Sequence, residues 1–143
     1  MIQQDAPQYR RPSTKSTYFR TLTELLKGCR SLYSSHELEF KNVFGAVAGY
    51  VDGQIFISCG IFGVALRLPP STLGRLFEEK GVKHLRYFPQ GHIKKEYGVL
   101  SRQILNDRRR LSRLIGQSVK FAMVGRRADD RRQKVLDEDG KEK

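Results

Sequence analysis

The chain has no tryptophan, and it has only two methionines and two cysteines among 143 residues. Cys29 and Cys59 stand far apart, and neither belongs to a CxxC or CxxH pair. A disulfide framework and a zinc-ligand spacing are therefore both missing. Both cysteines are expected to be buried thiols of a reducing cytoplasm. No uninterrupted apolar run reaches the roughly 20 residues that a membrane helix needs. The most apolar stretch, 43–68, is broken by Asp52, Gln54 and several glycines. The opening MIQQDAPQYRRPSTK lacks the apolar core of a secretory leader. Membrane association is not expected, and a cytoplasmic location is.

The usual signatures of catalysis and cofactor binding are also missing. There is no GxxxxGK[ST] to cradle phosphates, no GxGxxG and no GxSxG elbow. His36, His84 and His92 do not fall at metal-binding spacings. Ser58-Cys59-Gly60 invites a nucleophile reading, but Cys59 ends an apolar strand, where a thiol is buried and inert. The expectation is a protein that is not an enzyme, with no catalytic residue, no cofactor and no metal.

What the chain does have is positive charge. It carries 27 Lys+Arg against 15 Asp+Glu, a net of +12, and half of that excess lies beyond residue 100. Such a balance suits polyanionic partners or nothing more specific than solubility. The length suits one domain large enough to bury a core without cross-links.

Residues 1–13 are polar, contain Pro7 and Pro12, and read as a flexible arm. Phe19, Leu22, Leu26, Cys29 and Tyr33 then recur at helical spacing, with Leu25 widening the stripe and Ser34-Ser35 at the end. From Leu38 to Leu68 Val, Ile, Phe and Tyr dominate. Four strands are expected near 38–43, 45–51, 54–59 and 62–68, with Asp52-Gly53 as a type I′ hairpin turn. Gly45 and Gly49 read as bulges or points of close approach. Pro69-Pro70 ends the run, and Ser71 or Thr72 is placed to cap a short helix built on Leu73, Leu76 and Phe77, with Gly81 at its C-terminal stop. Tyr87-Phe88 and Tyr97-Gly98-Val99 return to strand. A last helix capped by Asp107 has Leu111, Leu114, Ile115, Val119 and Ala122 on one face. Residues 14–123 thus form the domain, and the charged segment 124–143 reads as a disordered tail. Consecutive strands joined by tight turns predict an α+β fold, two-layer, an antiparallel sheet with helices packed on one face.

The stretch Val43-Phe44-Gly45, Gly49-Tyr50-Val51-Asp52-Gly53 and Ile55-Phe56 resembles the M-F-G-G-x-G-L-Y-x-D-G-x-x-F run of the N-terminal domain of the TfoX (Sxy) family. Ala65-Leu66-Arg67-Leu68, and Glu96-Tyr97-Gly98-Val99 followed by Ile104-Leu105-Asn106-Asp107, continue the likeness over about residues 17–122. Leu100 replaces the usual proline of that family. The resemblance implies a noncatalytic regulatory or adaptor domain that acts by protein association, in transcription or competence control. The full regulators of the family have a second domain, which is not seen in this sequence.

Beside that stands a direct nucleic-acid reading. Its candidate contacts are Arg109, Arg110, Arg113, Lys120, Arg126 and Arg127, with Lys94 and Lys95 extending the patch. Tyr87, Phe88 and Tyr97 are candidates for stacking on bases, although such residues are more often sheet core. The bland reading of the arginines is a solvated helix face. The expected partner is a regulatory protein or nucleic acid, and exposed edge strands leave room for a homodimer.

Overall fold

The computed structural model describes residues 14–142; at 14–16, 30, 31, 33, 126–130 and 132–142 it describes the backbone alone. The expected arm at 1–13 lies outside the described residues. The chain runs α1 (Thr14–Leu26), α2 (Arg30–Ser35), β1 (Leu38–Val43), β2 (Ala46–Val51), β3 (Gln54–Gly60), β4 (Gly63–Arg67), α3 (Pro70–Leu76), β5 (Lys83–Leu85), β6 (Lys94–Val99), α4 (Arg102–Asn106) and α5 (Arg108–Glu142). All six strands join in one antiparallel sheet, ordered β1-β2-β3-β4-β6-β5.

One face of this sheet carries the helices. Leu22, Leu26, Leu32, Leu73, Ile104, Leu111, Leu114 and Ile115 share a single apolar cluster with Val47, Phe56, Ile57, Cys59, Val64 and Leu66 of the strands. The other face holds a smaller cluster, Ala65, Leu85 and Val99 under Phe62, Tyr87 and Tyr97, built from strands and their loops. The fold is α+β in two layers. No helix among the described residues is long and apolar enough to cross a membrane.

The tight turns explain the sheet's first half. Asp52 and Gly53 adopt φ of 48° and 83°, the positive pair that a type I′ turn requires. Phe44 and Gly45 do the same at 48° and 81° between β1 and β2, so Gly45 makes a turn and not a bulge. Asp52 also ties the hairpin to α2. Its carboxylate accepts from the Glu37 N–H at 2.8 Å and from His36 Nδ1 at 2.7 Å.

A bulge explains Gly49. Gly49 pairs with Ile57 and Tyr50 with Ile55, which leaves Phe56 as an extra residue on β3. Phe56 and Ile57 consequently both enter the helix-side core. The Phe56 carbonyl, turned off the ladder, accepts a 2.8 Å hydrogen bond from the buried Ser118 hydroxyl of α5. Opposite the bulge a Cβ on Gly49 would stand 2.7 Å from Ile57 Cγ2, so only glycine fits.

Further expectations need correction. The first helix is broken at Lys27–Cys29, where Gly28 lowers helix propensity and Cys29 leaves helical geometry with ψ of 73° before α2. The short helix begins after Pro69, with Pro70 in its first turn, where a missing N–H costs nothing. It ends at Leu76, so Gly81 (φ +91°) serves the entry to β5 and not the helix stop. Tyr87-Phe88 lies in the β5–β6 loop, because β5 ends at Leu85. The segment expected to be a disordered tail is helical to Glu142. Ala, Arg, Lys, Gln and Leu favour helix there, and opposite charges recur four apart at Arg126–Asp130, Asp130–Lys134 and Lys134–Glu138.

The close approach at the bulge has a measurable cost. Gly49→Ala is expected to lower stability by about 1–3 kcal/mol through overpacking. Gly28→Ala, where no atom lies within 4 Å of the added Cβ, should be neutral or slightly stabilising. Urea midpoints of the two variants would show the contrast, and equal midpoints would refute the account of Gly49.

Candidate functional site

The surface that α5 offers is dictated by the surface it buries. Leu111, Leu114, Ile115, Ser118, Val119 and Ala122 are all buried. Arg109, Arg113, Gly116 and Lys120, at spacings of four, three and four, fall on the opposite side and are exposed. The helix begins as its sequence suggests: the Arg110 N–H donates to Asp107 Oδ1 at 3.1 Å. Arg109, Arg113 and Lys120 have no ion-pair partner among the described residues, and neither does the exposed Arg108.

Arg110 departs from the expectation. Its guanidinium donates twice to Glu79, from Nη1 to Oε1 at 2.9 Å and from Nη2 to Oε2. That bidentate pair holds α5 against the segment that follows α3. The Arg110 hydrogen bonds hold the Glu79 carboxyl below the usual range, and the same bonds raise Arg110. This arginine is a staple between elements and not part of a free basic face.

Lys94 and Lys95 are exposed. They open β6, where Arg67 Nε donates to Glu96 at 3.0 Å and the Arg67 guanidinium carbon lies 5.3 Å from the Phe121 ring. Phe121 sits eight positions beyond Arg113, about 12 Å along the helix. Arg126 and Arg127 continue α5, and their side chains lie outside those described.

The structure adds a groove that the sequence did not announce. The break between α1 and α2 makes an elbow, and two adjoining hollows of about 330 and 700 Å³ lie between this elbow and α5. Gly28, Cys29 and Ser112 line both. Leu25, Leu105 and Leu111 contribute apolar walls to the larger one, and Ile115 and Val119 to the smaller. Glu24, Arg108, Arg109 and Arg113 edge the larger, and Lys120 and His36 edge the smaller. Cys29, expected to be buried, is half-exposed here with its Sγ 3.8 Å from Ser112 Oγ. Gly28 is the sequence signal that marks the elbow, since a glycine inside an apolar helical stripe invites a break.

The other candidate chemistry sits elsewhere. Cys59 is buried in the core, and desolvation pushes its thiol up to about 11, so it is protonated at neutral pH. Among the described residues no three His, Cys, Asp or Glu side chains come together as a metal site.

The Glu79–Arg110 staple carries a pH signature. The folded carboxyl is lowered, so its stabilisation is fully present above the ordinary glutamate value of about 4.3 and is lost as pH falls through the lowered folded value. Both groups are partly exposed, so Arg110→Ala is expected to cost about 0.5–1 kcal/mol near neutral pH. That cost should fall away as pH drops through the lowered folded value, once Glu79 is protonated in the folded and unfolded chain alike. Paired urea melts check this, and a cost that persists in acid would refute it. Compared with family models, with curated proteins and with solved structures, the chain matches none of them.

Proposed function

We propose that this chain is a noncatalytic adaptor domain of the TfoX N-terminal type that works in the cytoplasm by holding a protein partner, in transcription or competence control. The groove between the α1–α2 elbow and α5 is its contact surface. One observation carries the reading: apolar side chains wall the groove, and at its edge Arg108, Arg109, Arg113 and Lys120, with no ion-pair partner among the described residues, outnumber one carboxylate, Glu24, which pairs with Lys27.

An apolar trough between helices receives the apolar side of an amphipathic helix. A cationic rim adds a preference for acidic flanks, which speeds encounter and sets orientation more than it adds affinity. The partner segment is therefore an amphipathic helix with leucine-like residues on one side and glutamate or aspartate on the other. The family resemblance of Val43–Phe56 supports the adaptor role, and the order of helices and strands over residues 17–122 is in keeping with it.

A second reading has its own observation. Arg109, Arg113 and Lys120 form a straight row on the exposed side of α5 and lie where a duplex backbone would be gripped. The two readings part on salt and on site. An acidic amphipathic peptide titrated into isotope-labelled protein should shift the amides of Gly28, Ser112 and Gly116. Arg109→Glu with Arg113→Glu should weaken it roughly tenfold. Duplex DNA should bind weakly, if at all, at physiological salt. A steep salt slope, about −0.9 per phosphate contacted, that flattens in the same variant would favour the nucleic-acid reading. Shifts confined to other surfaces would defeat the groove altogether.

A further inference from the structure

We infer that the sheet face opposite the helices is a binding platform for single-stranded nucleic acid. This inference is independent of the groove on α5. The strand register supplies the first observation. Lys41, Ala48, Ser58, Ala65, Val99 and Lys83 are successive cross-strand partners, so they form one transverse row through all six strands. Cross-strand partners share a face, so the row has small buried residues at its centre and an exposed lysine at each end. Five inter-strand steps separate the two lysines, roughly 24 Å across a flat sheet. That span accommodates a short strand at the low end of known site sizes, about four nucleotides.

The second observation is the layer of rings above the row. Phe88, Phe44, Tyr87 and Phe62 form a continuous chain, with ring centroids 5.7, 5.5 and 5.5 Å apart. Phe62 and Tyr87 pack on the small-residue floor, whereas Phe44 and Phe88 are 64% and 54% exposed. Phe44 is held outward by its own turn, at φ of 48°, and Phe88 projects from the β5–β6 loop. Two exposed phenylalanines in ring contact are an apolar patch that invites a partner. Beneath them the Ser58 hydroxyl is buried.

Charge selects the occupant. Lys41 extends over the Tyr50 ring at 5.0 Å, Lys83 ends the row, and Arg86 is exposed beside Tyr87 in sequence. Glu39 is the acidic neighbour on the same side of β1 as Lys41. A second copy of the chain would bring the same lysines and a net +12 against this face, so self-association is disfavoured. Bases stack on exposed rings without regard to sequence, while cations at the margins hold the phosphates. A single strand exposes its bases for this, and a duplex does not.

The missing tryptophan makes the test direct. Phe44→Trp would give the full chain its sole indole. Labelled oligo(dT) of about 16 nucleotides should bind by fluorescence anisotropy at low salt and quench the indole in proportion. Phe88→Ala, and separately Phe44→Ala, should each weaken oligo(dT) about tenfold with unchanged thermal melting. Lys41→Glu with Lys83→Glu should weaken it further and reduce its salt slope. Arg109→Glu with Arg113→Glu should leave the indole quenching in place. Anisotropy without quenching would put the strand elsewhere and overturn the proposal. So would unchanged affinity in both alanine variants, or concentration-dependent dimerisation that Phe44→Ala abolishes.

Discussion

The helix-side surface of this molecule follows from how α5 is seated on the centre of the sheet. Leu111, Leu114, Ile115, Val119 and Ala122 bury one side of the helix against β3 and β4. At about 1.5–3 kcal/mol for each large side chain, that stripe contributes on the order of 6–10 kcal/mol of transfer free energy. No arrangement of surface arginines competes with such a sum, since single exposed ion pairs contribute about 0–1 kcal/mol. Rotating the helix to change its basic face would forfeit the core. The Ser118–Phe56 hydrogen bond fixes the seating further, because sliding α5 along β3 would leave both groups buried and unpaired.

The bulge at Phe56 links this helix to the rest of the sheet. By adding one residue to β3, it sends two consecutive side chains into the helix-side core and frees one carbonyl for α5. The same insertion leaves Ser58 and Gly60 in step with Ala65 and Gly63, so the remainder of β3 keeps a regular register with β4. The transverse row from Lys41 to Lys83 exists only because that register holds across all six strands. A shift of one residue anywhere along it would move a lysine to the helix side.

The sequence carried the strands well and the helices unevenly. Strand limits were legible because Asp52-Gly53 is a strong turn signal and β-branched residues alternate around it. The apolar stripe of α5 was legible because its spacing is purely helical. The Phe44-Gly45 turn was missed, since phenylalanine is a poor candidate for positive φ. The elbow at Gly28 was missed because Cys29 and Tyr33 carry the helical spacing of Leu22 and Leu26 on through it. Arg110 was placed with its neighbours because no local pattern connects it to Glu79, thirty-one positions earlier. Pairings at that separation are decided by packing, and a linear pattern does not contain them.

That last point also bears on how charge should be read in this chain. Arg109, Arg110 and Arg113 look equivalent in a charge count, yet one is bonded twice to a carboxylate and two face solvent. Lys94 and Lys95 stand on a different element, opening β6 just before Glu96, which Arg67 bonds. Net charge therefore raises the attraction of any polyanion to the whole molecule, which is a long-range effect screened beyond about 10 Å at moderate salt. Discrimination between partners has to come from what lies inside the cationic margins. On α5 that interior is an aliphatic trough, suited to the side of a helix. On the open sheet face it is a run of aromatic rings, suited to flat groups. Two surfaces with the same sign of charge can thus serve different chemistries on one small domain.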